Sequence, residues 1–317
     1  MSKSSLRFRD KVSAYLELIR LYFTIEGVIS FSGAVVAARG LPSPWILFVT
    51  LFAPMLGGYA AGVANDYFDR EVDKHEKPYR PIPSGRVKPV NALILACALA
   101  FSGIALTLTL RPICWLLAVG VFLAGLSYNF IRSARFVGSI FRGLTDAFCI
   151  SYGYAAVSGL TLELAPLASI LFFDTLSSNI LSSVKDVSGD KAGGLVTFSV
   201  LLGPRKAVKL GFTLFLLTIV IGLMIYATRI LGILFLGAFL ATRAPMFWVF
   251  SRLMKSPSPF FGRFALATHL FSRVCSALSF TVGVLPSSSA VVLAISLSLL
   301  SLVAAALYYS YVIVETR

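Results

Sequence analysis

The stretch GGYAAGVANDYFDREVD, residues 57–73, joins an apolar run to a cluster of acidic residues. Asp66, Asp69 and Asp73 are three and four positions apart, so they share one face if a helix continues through them. Like charges on one face repel one another, and a cation between them relieves that repulsion. Several hard oxygen ligands in one place suit a divalent ion such as Mg²⁺. The spacing therefore predicts a magnesium site at the end of an apolar helix.

The composition indicates an integral membrane protein. Of the 317 residues, 57% are hydrophobic and only 13% are charged, whereas roughly a quarter are charged in soluble globular domains. A helix that crosses a bilayer needs roughly 20 apolar residues. The predicted spans are 15–38, 44–64, 91–110, 113–130, 138–160, 164–184, 206–227, 229–250 and 288–313. A tenth apolar stretch, 262–284, is interrupted by Arg263, His269 and Arg273.

The polar segments between the spans are too short to form a soluble domain. The longest run from about 65 to 90 and from 185 to 205, and neither is long enough to bury a core of its own. The first apolar segment is longer than the core of a signal peptide, so we expect it to be a span. The sequence thus predicts one all-α membrane domain over residues 1–317, with nine spans, or ten if 262–284 also crosses.

The distribution of the basic residues argues for a membrane orientation and against nucleic acid as a partner. The net charge is +14, and 21 Lys and Arg fall on alternate connections: four before residue 12, six in 70–88, three in 132–142, five in 185–209 and three in 252–263. The opposite connections contain only Arg39, Arg111 and Arg229. By the positive-inside rule the basic side is cytoplasmic. We therefore expect a multi-pass protein of the cell membrane whose acidic site lies at the cytoplasmic face.

A second acidic pair follows the sixth predicted span, in SSVKDVSGDKAGG, residues 182–194. Asp186 and Asp190 are four positions apart and lie on the same predicted side as the first cluster. Five aspartates, in a chain with only 14 acidic residues, fall in these two segments, and unpartnered carboxylates near a bilayer are costly. Paired clusters that face one cavity can hold two metal ions bridged by a diphosphate. For either cluster alone, helix caps or solvated helix ends remain the alternative.

A diphosphate at the mouth of an apolar bundle implies a lipid tail that extends inward. In an allylic isoprenyl diphosphate, metal ions and basic residues stabilise the departing pyrophosphate. Ionisation at the first carbon then yields an allylic carbocation, which an acceptor attacks. The two acidic clusters therefore favour a prenyl-transfer enzyme.

The two motifs resemble those of the UbiA superfamily of intramembrane prenyltransferases. The NDxxDxxxD motif is met by Asn65, Asp66, Asp69 and Asp73, and the DxxxD motif by Asp186 and Asp190. The resemblance covers about residues 12–285 and implies a bundle of transmembrane helices around a central cavity. It also implies that these six residues hold two Mg²⁺ ions that bridge the diphosphate, with the five aspartates as the catalytic residues. Residues 288–313 would then be an additional C-terminal span.

The segment KPYRPIPSGRV, residues 77–87, is similar to archaeal digeranylgeranylglyceryl phosphate synthases and to the chlorophyll synthase branch. This implies a polyprenyl diphosphate donor of the geranylgeranyl type and geranylgeranylglyceryl phosphate as acceptor, as in archaeal-type lipid synthesis. An aromatic acid such as 4-hydroxybenzoate, as in quinone synthesis, is the alternative acceptor. A membrane transporter is the alternative of another class. The transporter is disfavoured because the acidic residues lie at the mouth and the spans show few midplane charges.

The candidate substrate-binding residues are polar or basic side chains near the two motifs: Asn65, Arg20, Lys74, Lys77, Arg80, Tyr128, Arg132, Lys185 and Lys191. Tyr128 and Arg132 take the places at which the family brings a tyrosine and a basic residue to the diphosphate. Positive-inside placement explains any one of the basic residues equally well.

Arg20 lies within the first predicted span, where an unpaired guanidinium is costly. We expect it to face the cavity and bind an anion, with pairing to Glu17 or Glu26 as the alternative. His269 and Arg273, one helical turn apart, are expected to face a neighbouring helix. The family's Arg-Pro-x-Asn reads Arg-Leu-Tyr-Phe from Arg20 onward, which indicates an altered acceptor pocket.

Overall fold

The structure is a computed structural model that describes residues 8–130 and 134–285, together with residue 288. All regular secondary structure within these residues is helical. Two 3₁₀ turns, Leu21–Phe23 and Ser183–Asp186, interrupt the series of α-helices. The α-helices are α1 Phe8–Ile19, α2 Thr24–Ala38, α3 Pro44–Glu76, α4 Pro89–Thr107, α5 Pro112–Phe130, α6 Arg135–Ser158, α7 Leu164–Ser182, α8 Val187–Ala192, α9 Phe198–Leu202, α10 Pro204–Ala227, α11 Ile233–Lys255 and α12 Pro259–Val282.

Several of these helices are long and apolar enough to cross a membrane. Five segments meet that requirement: Pro44–His75, Pro89–Thr107, Leu164–Ala192, Pro204–Ala227 and Ile233–Lys255. The α1 and α2 helices together would make a sixth. An all-helical, multi-pass membrane protein is thus confirmed, while the count of nine or ten spans stays a prediction. The predicted span 288–313 falls almost wholly outside the described residues.

The first predicted span, 15–38, is not one continuous helix. The α1 helix ends at Ile19, and α2 begins at Thr24 with its axis bent by 52°. Between them Arg20 has φ 55°, a left-handed conformation that is costly for a residue with a side chain. Residues 20–23 include neither Gly nor Pro, so the break could not be predicted from these residue types. The bend places Arg20 beside the far end of α3.

The α2 helix packs closely on α6 and runs parallel to it. A Cβ atom on Gly33 would lie 2.3 Å from the carbonyl oxygen of Ile150, so only glycine permits this approach. Small residues allow such close contacts between membrane helices. Nearer the start of both helices, Arg142 of α6 donates a hydrogen bond to Glu26 of α2. Residue numbers thus increase together along the two helices.

The α2 and α3 helices run antiparallel. Phe23 packs against Gly62, and the carboxylate of Glu26, one turn further along α2, packs against Gly58, which is one turn earlier in α3. The C-terminal end of α3 therefore lies at the same end of the bundle as the start of α2. Because α6 is parallel to α2, its N-terminal end lies there too.

A buried ion pair joins α7 to α11 and α12. Nη1 of Arg243 lies 2.6 and 2.8 Å from the two carboxylate oxygens of Asp174, and its Nη2 donates to Ser276. Ser276 in turn donates to Asp174 at 3.1 Å. The guanidinium also lies 4.1 Å from the ring centre of Phe239. Asp174 and Arg243 both sit near the middle of their helices.

A second buried ion pair joins α6 to α12. Arg273 donates to one oxygen of Asp146, and Thr175 of α7 donates to the other. Arg273 thus faces a neighbouring helix, as the sequence predicted, while the side chain of His269 lies outside the described part of the chain. The expectation of few charges in the middle of the spans was wrong. Charges of opposite sign, far apart in the sequence, neutralise each other there.

Candidate active site

The first acidic motif lies entirely within α3. This helix runs for 33 residues, from Pro44 to Glu76, so Asn65, Asp66, Asp69 and Asp73 continue the apolar segment without a break. Asp66 and Asp73 are buried, whereas Asn65 and Asp69 are partly exposed. The spacing of three and four residues places the aspartates on one face, as the sequence predicted.

Two arginines bind the carboxylates of this motif. Nη1 of Arg80 lies 2.8 Å from Oδ2 of Asp73 and 3.4 Å from Oδ1 of Asp66. Arg20 donates a further hydrogen bond to Oδ1 of Asp66. Burial and the nearby Arg20 disfavour the charged form of Arg80, but Asp66 and Asp73 outweigh them and raise the pKa of Arg80 above its ordinary value. Arg80 therefore remains a cation between two carboxylates.

The segment that follows α3, residues 77–88, folds back over the motif and positions Arg80. Lys77 ends α3 by donating its N–H to the carbonyl of Asp73 at 2.8 Å, and a turn follows in which the N–H of Arg80 donates to Lys77. Arg86 ties the segment to α1 through two hydrogen bonds to Glu17, of 2.7 and 3.0 Å. The segment is thus held at both the motif and α1.

The second acidic motif lies just beyond α7. Asp186 ends the 3₁₀ turn and Asp190 lies in α8. Asp190 is buried, and Nη1 of Arg135, the first residue of α6, lies 3.5 Å from its Oδ1. Asp186 is more exposed and pairs with its neighbour Lys185. From the sequence, Arg135 is only one of the many basic residues on the predicted cytoplasmic side, and nothing there indicates its contact with Asp190.

The two motifs lie at the same end of the bundle. Asp190 contacts the N-terminal end of α6 through Arg135, and Asp66 lies toward the C-terminal end of α3. Both helix ends sit beside the start of α2, where Arg20 reaches Asp66. The packing of α2, α3 and α6 therefore directs both acidic motifs to one side of the protein.

The remaining candidate residues have varied positions. Lys74 pairs with Glu71 at 2.7 Å on the exposed side of α3, and Lys191 is exposed. Arg132 and the side chain of Tyr128 lie outside the described residues.

Arg20 pairs with Asp66, whereas Glu17 and Glu26 were the alternative partners that the sequence offered. These two glutamates bind Arg86 and Arg142 instead. The sequence shows each of these charges but does not show which arginine binds which carboxylate.

The donor atoms of the first motif fit a bound cation. Across the described ranges 8–130 and 134–285, no three His, Cys, Asp or Glu side chains are already grouped as a metal site. However, Asp66 and Asp73 converge on a single cationic atom, Nη1 of Arg80. Carboxylate oxygens that converge in this way are suitable ligands for Mg²⁺ if the guanidinium moves aside.

Comparison with known proteins identifies the family. Residues 27–260 match the UbiA prenyltransferase family. The chain is 33% identical to a digeranylgeranylglyceryl phosphate synthase of Sulfurisphaera tokodaii over 242 residues, which covers 72% of this chain and 86% of that protein.

Two solved structures have a similar fold. One, described as digeranylgeranylglyceryl phosphate synthase in membranes, superposes with a TM-score of 0.71 at 22% identity, over 86% of this chain and 98% of that one. The other is a UbiA homologue from Archaeoglobus fulgidus bound to GPP and Mg²⁺, with a TM-score of 0.58 at 16% identity, over 92% and 98% of the two chains. The family match covers residues 27–260, which is more than half of this chain. This chain therefore belongs to the UbiA prenyltransferase family.

Proposed function

We propose that the protein transfers a geranylgeranyl-type prenyl group from its diphosphate to geranylgeranylglyceryl phosphate, as in archaeal-type membrane lipid synthesis. The single observation that carries the proposal is the position of the acidic residues. Asp66 and Asp73 both approach Nη1 of Arg80, and they lie at the same end of an apolar helical bundle as Asp190. The acceptor is inferred from the name of the similar synthase of Sulfurisphaera tokodaii. The cytoplasmic location of the site is inferred from the distribution of Lys and Arg.

The residues of the two motifs would hold the metal ions and the diphosphate head. Asn65, Asp66, Asp69 and Asp73 supply oxygen ligands on one side, and Asp186 and Asp190 supply them on the other. When bound, two Mg²⁺ ions would supply positive charge that stabilises the leaving pyrophosphate. A UbiA homologue of similar fold was solved with GPP and Mg²⁺, which supports this assignment.

Basic side chains of the chain would hold the oxygens of the diphosphate. Arg20, Arg80 and Arg135 already lie within reach of motif carboxylates. A guanidinium group binds phosphate oxygens well because its planar N–H groups match them in pairs. Lys77, Lys185 and Lys191 are further candidates, together with Tyr128 and Arg132. The prenyl tail would extend from this end into the apolar interior.

The proposed reaction exchanges one carbon–oxygen bond for another. The bond between the first prenyl carbon and the diphosphate oxygen breaks, and the pyrophosphate keeps the electron pair. The acceptor hydroxyl oxygen then forms a bond to that carbon, and its proton passes to the released pyrophosphate, which is a base. Side chains fixed before ionisation stabilise the charge that develops on the leaving group.

The acceptor can be tested with purified protein in detergent, geranylgeranyl diphosphate and Mg²⁺. Geranylgeranylglyceryl phosphate and 4-hydroxybenzoate are supplied separately, and product mass and pyrophosphate release are measured. We expect the ether product from the first acceptor, and a loss of at least about 100-fold in rate for Asp66→Ala and Asp190→Ala, which remove charged ligands of the leaving group.

A matched control is Glu71→Gln, which removes an exposed carboxylate from the same helix and should leave the rate unchanged. If 4-hydroxybenzoate is prenylated and geranylgeranylglyceryl phosphate is not, the acceptor is an aromatic acid and the proposed acceptor is wrong. If neither acceptor is consumed, or if Asp66→Ala reacts at the wild-type rate, the proposed function is wrong.

A further inference from the structure

Arg20 and Arg80 occupy the carboxylates to which a metal ion would bind. Arg80 contacts both Asp66 and Asp73, and Arg20 contacts the same Oδ1 oxygen of Asp66 that Arg80 approaches. Arg20 belongs to the bend between α1 and α2, and Arg80 to the segment after α3. Two separate parts of the chain thus place a cation on the same pair of carboxylates.

We propose that this arginine pair, Arg20 and Arg80, makes metal binding at the first motif conditional on diphosphate. A divalent ion that arrives alone must displace guanidinium groups from Asp66 and Asp73. A diphosphate offers those groups new oxygen partners, so the carboxylates become available to the metal. This inference rests on the proposed function, and it implies that metal and diphosphate enter together.

The burial of these ion pairs indicates that the guanidinium groups compete strongly with a metal ion for the carboxylates. The side chains of Arg80, Asp66 and Asp73 are only 10%, 6% and 6% exposed, so water screens their attraction weakly. Displacing Arg80 without offering a new partner would leave a charged group in a poorly hydrated site. An isolated metal ion would therefore bind much more weakly here than the number of aspartates suggests.

The charge balance of the site leads to the same expectation. Asp66, Asp69 and Asp73 together carry three negative charges, and the two arginines that contact Asp66 and Asp73 offset two of them, so these five side chains attract a divalent ion weakly. The phosphate oxygens of a bound diphosphate add several negative charges and can pair with guanidinium groups bidentately. The attraction for the metal then increases at the same moment as its ligands are released.

The test measures Mn²⁺ binding to the full-length protein in detergent by electron paramagnetic resonance, with and without inorganic pyrophosphate. For the wild type we expect at least tenfold tighter Mn²⁺ binding when pyrophosphate is present. For Arg80→Gln we expect Mn²⁺ alone to bind at least tenfold more tightly than it does to the wild type, with a smaller gain from pyrophosphate. Arg80→Lys should lie between them, because a single ammonium point charge replaces the bridging guanidinium.

Arg70→Gln is the matched control, since it removes an equal charge from α3 at a residue that contacts Tyr67 and Glu71. Its Mn²⁺ affinity should stay within threefold of the wild type. Two results would overturn the inference without excluding a metal site. One is a wild-type Mn²⁺ affinity that is equal with and without pyrophosphate. The other is an equal increase in Mn²⁺ affinity over the wild type in Arg80→Gln and Arg70→Gln. Absence of Mn²⁺ binding in every variant and condition would overturn the proposed function together with the inference.

Discussion

The buried pair of Asp174 and Arg243 predicts a large loss of stability on Asp174→Asn. Their side chains are only 3% and 1% exposed, so water cannot replace the lost counter-charge. Removing one partner of a buried ion pair costs about 3–5 kcal/mol. Asparagine keeps the shape and one oxygen acceptor for the guanidinium, which favours the lower end. We therefore expect Asp174→Asn to lower the free energy of unfolding by about 3 kcal/mol.

Denaturant unfolding of the purified protein in one detergent, followed by tryptophan fluorescence, measures this change. The control is Glu163→Gln, which removes the carboxylate of the Arg39–Glu163 pair, whose side chains are 45% and 47% exposed. An exposed pair contributes about 0–1 kcal/mol, so this variant should unfold close to the wild type. The reasoning would be refuted if Asp174→Asn lost no more stability than Glu163→Gln.

Two further predictions concern helix packing and the segment over the first motif. Gly153→Ala should cost more than about 2 kcal/mol in the same unfolding assay, because its Cβ would lie 1.7 Å from a carbonyl oxygen of α2. Gly57→Ala, where nothing lies within 4 Å, should cost almost nothing, and equal losses in the two variants would contradict this packing. Glu17→Gln weakens the double hydrogen bond from Arg86, so amide hydrogen exchange in residues 77–88 should become faster. Unchanged exchange there would show that Arg86 does not hold the segment.

The acidic motifs could be predicted from sequence because their geometry is local. The spacing of Asp66, Asp69 and Asp73 already defines one face of a helix, and α3 does continue through all three. The position of these three aspartates relative to Asp190 depends on how many helices separate the two motifs and on the direction in which each helix runs. The alternation of basic and apolar segments predicted that both motifs lie on one side, and the helix packing places them at one end.

The bend at Arg20 and the ion-pair partners could not be predicted in this way. The left-handed residue Arg20 lies in a segment without Gly or Pro, and its guanidinium contacts Asp66, 46 positions away. Asp146 and Arg273 are 127 positions apart and meet only because α6 and α12 both pack against α2 and α7. A sequence shows how many charges are present, whereas the tertiary structure decides which of them pair.

The central claim is that both acidic motifs bind one metal-bound diphosphate. The most direct test is the affinity for geranylgeranyl diphosphate at saturating Mg²⁺, measured for Asp66→Asn, Asp190→Asn and the double variant. Because the two residues would share one ligand, we expect each single change to weaken binding and the double change to differ from their sum by about 1 kcal/mol or more. Losses that add within about 0.5 kcal/mol, or an Asp190→Asn variant that binds as tightly as the wild type, would contradict the claim.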